Sequence, residues 1–405
     1  MYWRKFTKKN LDIYREATKL TSKLFRFGHP LAYVKPSMKH VERSYEYVAA
    51  VTDLKKMTRE GEFVNSIVDY KKSKGNFLVD VDGNVMLDLV AHGGLLPLGY
   101  NADALINARD SKLFDRYLNQ SPNLAEYPPS EFPDFVREAI LPIAPEGLSE
   151  VYFTEGIGSQ ANETALKIAL LKFKESRGSG LAEVDWDNFA ENDWSNSSDL
   201  LQNNVSVLGF ENSLHGVTLG GASASGTAMV RGSLPTYDWP TAPMPKVKYP
   251  HAFNVSHNKK EEKRCLKVVE KIIAKKEKSG SPVGAMIIEP ITFLKNTVAT
   301  PNFYRSLRKI AKERGIPFIV DETRTGIGKT GKMWAYEHWY LEDQPDIVTF
   351  GGSAHASGVF TSADFRPLEP HKLTNISNGS MDKLLALGVI GKYIQKKNLL
   401  NKVDD

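Results

Sequence analysis

Three short apolar runs within residues 283–360 each end in side chains that could bind or transform a small molecule. The runs are VGAMIIEP at 283–290, GIPFIVDETRTGIG at 315–328 and PDIVTFGGSAHASGVF at 345–360. Short apolar runs of this kind are typical of buried parallel strands. In open α/β sheets ligands bind at the carboxyl ends of such strands, where the polar and glycine-rich residues that follow each run would lie.

A fourth segment, VYFTEGIGSQANETALK at 151–167, predicts a place for an anion. Gly158 and Ser159 precede a helical pattern whose apolar stripe is Leu166, Ala169, Leu170 and Phe173. Free N–H groups at a helix N-terminus bind phosphate, although a Gly-Ser turn of this kind is also a common plain helix cap. Both interpretations stay open from the residues alone.

Together with three further segments, these motifs resemble the class III aminotransferases, and most closely their 4-aminobutyrate aminotransferase branch. The further segments are KSKGNFLVDVDGNVMLDL at 72–89, LHGVTLG at 214–220 and YDWPTAPMPKVKYP at 237–250. The resemblance extends from about residue 37 to the end of the chain. These enzymes use pyridoxal phosphate (PLP), which a lysine holds as a Schiff base.

The resemblance implies an α/β fold, the large domain of a fold-type-I PLP transferase, with a seven-stranded, mainly parallel sheet flanked by helices. We expect four regions along the chain. They are a basic arm or import segment at 1–36, an N-terminal segment at 37–110, the large domain at 111–370 and a truncated start of the C-terminal lobe at 371–405. About ninety residues of the family's C-terminal lobe have no counterpart, so the resemblance implies that this lobe is largely missing.

Several family positions for the cofactor are recognisable. Gly158 and Ser159 stand at the phosphate turn, and Asp321 at the aspartate that pairs with the pyridine nitrogen. Leu214 replaces the aromatic residue that stacks on the ring, and His215 follows as in the family.

Other family positions have changed. Arg324 stands where the family has a glutamine that reaches the phenolic oxygen, and we expect it to pair with Asp321. Val217 replaces an arginine that grips the substrate carboxylate and would pair with Glu289. A valine cannot donate the bidentate charged hydrogen bonds that a carboxylate accepts.

The position of the Schiff-base lysine is occupied by Gly352. In the family that amine also moves the proton between substrate and cofactor. His355 is a nearby general-base candidate, but the interpretation as an ordinary polar loop histidine is favoured. Ile157 and Gln160 replace cysteines that ligate an iron–sulfur cluster in some relatives, so no cluster is expected. Ile376 replaces a threonine that reaches the partner's phosphate in the family.

These losses lead us to expect an inactive relative, not an enzyme, with a structural or interaction role. We expect no cofactor, although non-covalent PLP or another anion remains possible at the vestigial site. The alternative is an active PLP-dependent transaminase of the 4-aminobutyrate type, using a partner subunit or a relocated lysine such as Lys295, Lys329 or Lys332.

Composition indicates a globular protein large enough for more than one lobe. The 405 residues are 41% hydrophobic and 25% charged. No apolar run reaches the roughly 18–20 residues that span a bilayer, so we expect a peripheral membrane association at most. A formal net charge of +5 without a basic, aromatic-rich stripe argues against nucleic acid as a partner. One cysteine, Cys265, excludes an internal disulfide framework and any cysteine-rich metal site.

The first 30 residues are rich in Lys and Arg with only two acidic residues. This composition resembles a mitochondrial import segment, although a retained arm that docks on a partner fits as well. We expect a mitochondrial location, in the matrix or on the matrix side of the inner membrane. Because a missing lobe would uncover apolar surface, we expect protein partners there, in a homodimer or a heteromer of a large complex such as a respiratory-chain assembly.

Overall fold

The computed structural model describes residues 68–80, 83–89, 94–111, 114–120, 122–155, 158–178, 204–232, 235–367, 373 and 378–404. The chain divides into two compact units, Met1–Asp115 and Arg116–Asp405. The predicted arm at 1–36, Ile157 and Ile376 lie outside the described residues.

The first unit contains a small hairpin. Strands β1 (Phe77–Val79) and β2 (Val85–Leu87) pair antiparallel, with Leu78 opposite Met86. Both of these side chains are buried together with Tyr100. Gly83 has a φ of +83°, a left-handed conformation that glycine adopts without strain. Helix α1 (Asp103–Asp110) follows.

The second unit is built on a seven-stranded sheet in the order β3-β9-β8-β7-β6-β4-β5. The strands are β3 (Glu150–Thr154), β4 (Ser206–Phe210), β5 (Thr241–Ala242), β6 (Val283–Ile288), β7 (Phe318–Asp321), β8 (Ile347–Phe350) and β9 (Ser357–Thr361). Only β9 runs antiparallel to its neighbours. The predicted α/β architecture with a mainly parallel seven-stranded sheet is therefore confirmed.

The helices of the second unit surround this sheet. They are α2 (Asp115–Gln120, which begins at the unit boundary), α3 (Phe132–Phe135), α4 (Gly158–Ser176), α5 (Leu219–Ala224), α6 (Ala228–Arg231), α7 (Val255–Lys278), α8 (Pro301–Glu313), α9 (Met381–Lys396) and α10 (Asn401–Asp404). A π turn (Val136–Ile140) and short 3-10 turns at Leu141–Ile143, His251–Phe253, Ala335–Trp339, Gly352–Ala354 and Ala363–Phe365 complete the unit.

Periodicity explains why these segments adopt these elements. Every residue of β6, β7 and β8 is buried, as expected for parallel strands that are covered on both faces. Helix α4 buries Leu166, Ala169 and Phe173 of its predicted stripe. Helix α7 buries Cys265, Val269 and Ile273 on one edge. Among the described residues, no helix combines the length and apolar character that a membrane crossing needs.

One buried tyrosine links helix α8 to the carboxyl end of strand β6. Its ring stacks on Trp339 with centroids 4.0 Å apart. The Tyr304 hydroxyl donates to the carbonyl of Pro290 at 3.0 Å and accepts from the N–H of Ala299 at 3.1 Å. Because Pro290 directly follows Glu289, this hydroxyl helps to fix the place where that carboxylate leaves the strand.

Replacing Tyr304 by phenylalanine should therefore lower the free energy of unfolding by about 1–3 kcal/mol, since two buried backbone groups lose their partner. Chemical denaturation would measure the change. Tyr340→Phe is the control, because Tyr340 is 68% exposed and should change the stability by less than about 0.5 kcal/mol. Equal effects of the two substitutions would contradict this role of the Tyr304 hydroxyl.

Candidate functional site

Strand β7 ends in a buried carboxylate that collects donors from separate parts of the chain. Asp321 Oδ2 lies 2.8 Å from His215 Nδ1 and accepts a hydrogen bond from Asn162 Nδ2 at 2.8 Å. Its Oδ1 accepts from the N–H of Thr323 at 3.0 Å and from the Thr323 hydroxyl at 2.6 Å. Thr349 of β8 donates to Asn162 Oδ1 at 2.7 Å. The site is thus a closed polar network at the carboxyl edge of the sheet.

These contacts keep Asp321 charged. Burial alone raises the pKa of a carboxyl group, but hydrogen bonding and charge from His215, together with hydrogen bonds from Thr323, outweigh it and hold the pKa of Asp321 below its ordinary value. A permanently charged carboxylate at this position can pair with a cationic ring nitrogen.

Helix α4 begins directly against this network. A Cβ atom added at Gly158 would lie 2.7 Å from Cβ of Thr323, so only glycine permits this approach. The next residue, Ser159, accepts a hydrogen bond at its Oγ from the N–H of Val217 at 3.3 Å. A Cβ on Gly216 would lie 2.6 Å from the same Oγ. The predicted anion turn and the 214–220 segment are therefore in contact.

A second carboxylate, Glu289, follows strand β6 and is also buried. Its Oε2 accepts from the N–H groups of Leu214 at 3.1 Å and Phe293 at 3.0 Å. Its Oε1 lies 3.3 Å from Nη1 of Arg324. The predicted pairing of Arg324 with Asp321 is wrong, because Asp321 is already enclosed by His215, Asn162 and Thr323 whereas Glu289 faces the guanidinium.

Burial raises the pKa of Glu289 to about 7, and the nearby charge of Asp321 adds to this rise, although His215 and Arg324 oppose it. Glu289 therefore titrates near neutral pH, in contrast to Asp321.

The segment after β8 supplies no amine at Gly352, whose φ is +50°. Gly352 opens a 3-10 turn that ends at Ala354. The Oγ of Ser353 is buried and has no hydrogen-bond partner, and burial lowers the pKa of His355. In the loop after β7, Nζ of Lys329 donates to the backbone carbonyl of Arg324 at 2.5 Å.

Sequence reasoning missed the residues that connect the site. Asn162, Thr323 and Thr349 carry the Asp321 network, and Glu163 of α4 accepts from the hydroxyl of Thr218 at 2.6 Å. The one available signal was the position of Asn162 and Glu163 in the first turns of the helix that starts at the anion turn. The predicted residues Gly158, Ser159, Leu214, His215, Glu289, Asp321 and Arg324 are all tied into this constellation by the contacts above.

Comparison with known proteins decides the family. The sequence pattern of "Aminotransferase class-III" matches residues 59–388. The chain belongs to this family. Human mitochondrial 4-aminobutyrate aminotransferase is 37% identical over 352 residues, which cover 85% of this chain and 68% of the relative. The 4-aminobutyrate aminotransferase of Dictyostelium discoideum is 34% identical over 378 residues, covering 92% of this chain and 74% of the relative.

Solved structures show the same fold. Lysine aminotransferase from M. tuberculosis aligns with a TM-score of 0.72 at 22% identity, covering 89% of this chain and 78% of that one. A transaminase from the marine bacterium Virgibacillus aligns with a TM-score of 0.66 at 21% identity, covering 87% and 74%. The fold is therefore that of the PLP-dependent transaminases, as the sequence resemblance implied.

The prediction that the chain is not an enzyme is contradicted by these relatives. They carry the names of 4-aminobutyrate aminotransferases at 34–37% identity over most of the chain. The prediction rested on several altered positions together, and the change at Gly352 excludes one source of the amine and not the others. An accessory role in a respiratory-chain assembly has no support among these relatives, and the expectation of no cofactor gives way to PLP, which the family uses.

The residues present fit much of this cofactor. Asp321 is charged and buried at the ring-nitrogen position, and helix α4 presents its N-terminus beside it. His215 Nε2 is buried without a hydrogen-bond partner, which is expected where an aromatic ligand rather than water completes a pocket.

Exchanging Glu289 for glutamine should change how stability depends on pH. An acid whose folded pKa lies near 7, above its ordinary value of 4.5, binds more protons folded than unfolded between those values, so stability falls as pH rises through that window. The glutamine variant lacks this loss, so its advantage over the native chain in free energy of unfolding should grow by about 1–3 kcal/mol as the pH rises from 5 to 8.

Urea unfolding at a series of pH values would measure this gain. The exposed Glu313→Gln is the control for the pH dependence of the rest of the molecule. Parallel stability curves for Glu289→Gln and the native chain would show that Glu289 does not titrate in this range.

Proposed function

We propose that this chain is a PLP-dependent aminotransferase of the 4-aminobutyrate type. Its relatives carry this name over 82–92% of the chain, and the observation that carries the proposal is the charged, enclosed Asp321 beside the N-terminus of α4. PLP supplies an electron-withdrawing ring and an aldehyde that exchanges amino groups.

The chain's own residues would divide the work of binding. Asp321 keeps its charge and so holds the ring nitrogen in its protonated form, while His215 and Asn162 fix the orientation of that carboxylate. The N–H groups at the start of α4 and the hydroxyl of Ser159 would hold the phosphate. Leu214 would cover one face of the ring by apolar contact, weaker than an aromatic stack.

The amine that tethers the cofactor must come from outside Gly352. Lys329 is our candidate because it is half-buried, and burial followed by the charge of Arg324 lowers its pKa to about 8. A lowered pKa leaves more of the amine neutral at physiological pH, which is the form that acts as a nucleophile. Its Nζ already lies against the backbone of Arg324, a residue of the site.

Borohydride capture tests this assignment. The purified chain is incubated with PLP, reduced, digested and examined by mass spectrometry. We expect the pyridoxyl group predominantly on Lys329, together with loss of absorbance near the visible edge on reduction. Lys329→Ala should lose at least about 90% of the label, since a displaced amine of another residue is strongly disfavoured by geometry.

Lys332→Ala is the matched control, because Lys332 lies in the same loop but does not make the hydrogen bond to Arg324 that Lys329 makes. The Lys332→Ala variant should still carry the pyridoxyl group on Lys329. Label on a different single lysine would assign the tethering of PLP to that lysine and would still support the proposed PLP-dependent function. Random labelling of surface lysines, equal to that of a denatured sample, would refute the proposed function.

The setting of the enzyme is part of the proposal. The human, rat and pig relatives carry the word mitochondrial in their names, which supports a mitochondrial location, and we place the chain in the matrix. A homodimer remains our predicted assembly, with pairing to another subunit as the alternative.

A further inference from the structure

We infer that Arg324 is the residue that selects substrates by their carboxylate group, in the role that Val217 cannot perform. The inference rests on the proposed function, since it names how that site recognises its substrate. Val217 is 64% exposed at the site and offers only an apolar surface. Positive charge is instead present at a different strand end, at Arg324, which contacts the same carboxylate, Glu289, as the backbone N–H of Leu214.

The position of Arg324 follows from one shared carboxylate. Glu289 accepts from the N–H of Leu214 through Oε2 and faces Arg324 through Oε1. The guanidinium is therefore one carboxylate away from the backbone of the residue that would cover the ring. A substrate lying over the ring at Leu214 would bring a carboxylate a few bonds from its amine into the reach of Arg324.

The guanidinium is held but not saturated. It lies over the ring of Phe293 with its central carbon 4.8 Å from the ring centroid, an arrangement that orients a cation. Its contact with Glu289 runs through a single nitrogen at 3.3 Å. By contrast, Arg308 grips Asp346 through both terminal nitrogens, at 2.7 and 2.9 Å. Arg324 thus keeps donors for a second, incoming carboxylate.

Exposure and charge agree with this role. The Arg324 side chain is 39% exposed, whereas Glu289 is 3% exposed. An anion from solution can therefore reach the guanidinium, while the buried Glu289 side chain stays on the backbone N–H groups of Leu214 and Phe293. Since Glu289 protonates near neutral pH, its charge does not fully cancel that of Arg324. A bidentate carboxylate would meet a guanidinium that is fixed and partly uncompensated.

Equilibrium binding by calorimetry tests the inference with three probes in the presence of PLP. Butyrate has the carboxylate but no amine, butylamine has the amine but no carboxylate, and 4-aminobutyrate has both. Arg324→Gln should weaken the binding of butyrate and 4-aminobutyrate by about 10- to 100-fold, the range expected for charged hydrogen bonds. Its affinity for butylamine should change less than about twofold. Arg324→Lys should lie between, because a lysine keeps the charge but loses the fork.

Lys295→Gln is the control for general positive charge, because Lys295 is an exposed cation in the loop that also carries Phe293. It should bind all three probes like the native chain. A loss of butyrate binding in Lys295→Gln equal to that in Arg324→Gln would overturn the inference. So would unchanged butyrate affinity in Arg324→Gln, an equal loss for butylamine, or no butyrate binding by the native chain.

The inference and the proposed function fail in different ways. Butyrate cannot take part in amine exchange, so its binding reports on Arg324 even if the cofactor is never tethered. Conversely, PLP could be captured on one lysine while Arg324→Gln leaves the affinity for butyrate unchanged. That result would support the proposed enzyme function and refute this role of Arg324.

Discussion

The buried negative charge of Asp321 is the constraint on which the site depends. An uncompensated charge at 2% exposure would cost several kcal/mol, so the fold must bring donors to it. These donors come from helix α4, from the loop after β4 and from the turn after β7, as Asn162, His215 and Thr323. Satisfying one carboxylate therefore fixes where three separate segments meet.

The same meeting point builds the anion turn. Because Thr323 follows the end of β7 so closely, helix α4 can start there only with glycine at 158. The start of that helix then lies beside both Asp321 and the 214–220 segment, with Ser159 joined to the backbone of Val217. Packing thereby places the buried Asp321 carboxylate and the first turn of α4 together.

Much of this arrangement could be predicted from the sequence. Uniformly apolar runs predicted β6, β7 and β8, and the helical stripe predicted α4, because burial on both faces or on one face leaves a direct periodic signal. The Asn162–Asp321 contact could not be predicted, since it joins residues 159 positions apart. The partner of Arg324 was wrongly predicted because the neighbouring strands β6 and β7 are each followed or ended by a carboxylate, Glu289 and Asp321. The sequence does not show that Asp321 is enclosed by other donors, which leaves Glu289 as the partner of Arg324. The predicted inactivity was inferred from changes at several positions, among them Leu214, Val217 and Gly352, and residues lost at known positions say nothing about amines elsewhere in the fold.

The central claim is that the chain transfers amino groups, and isotope transfer tests it most directly. The purified chain with PLP is incubated with 15N-labelled 4-aminobutyrate and a 2-oxo acid, and the amino acid formed from that 2-oxo acid is examined by mass spectrometry. The account predicts that 15N accumulates in the new amino acid over many turnovers per chain. The claim would be contradicted if the new amino acid contained no more 15N than in the same incubation with PLP and without the protein.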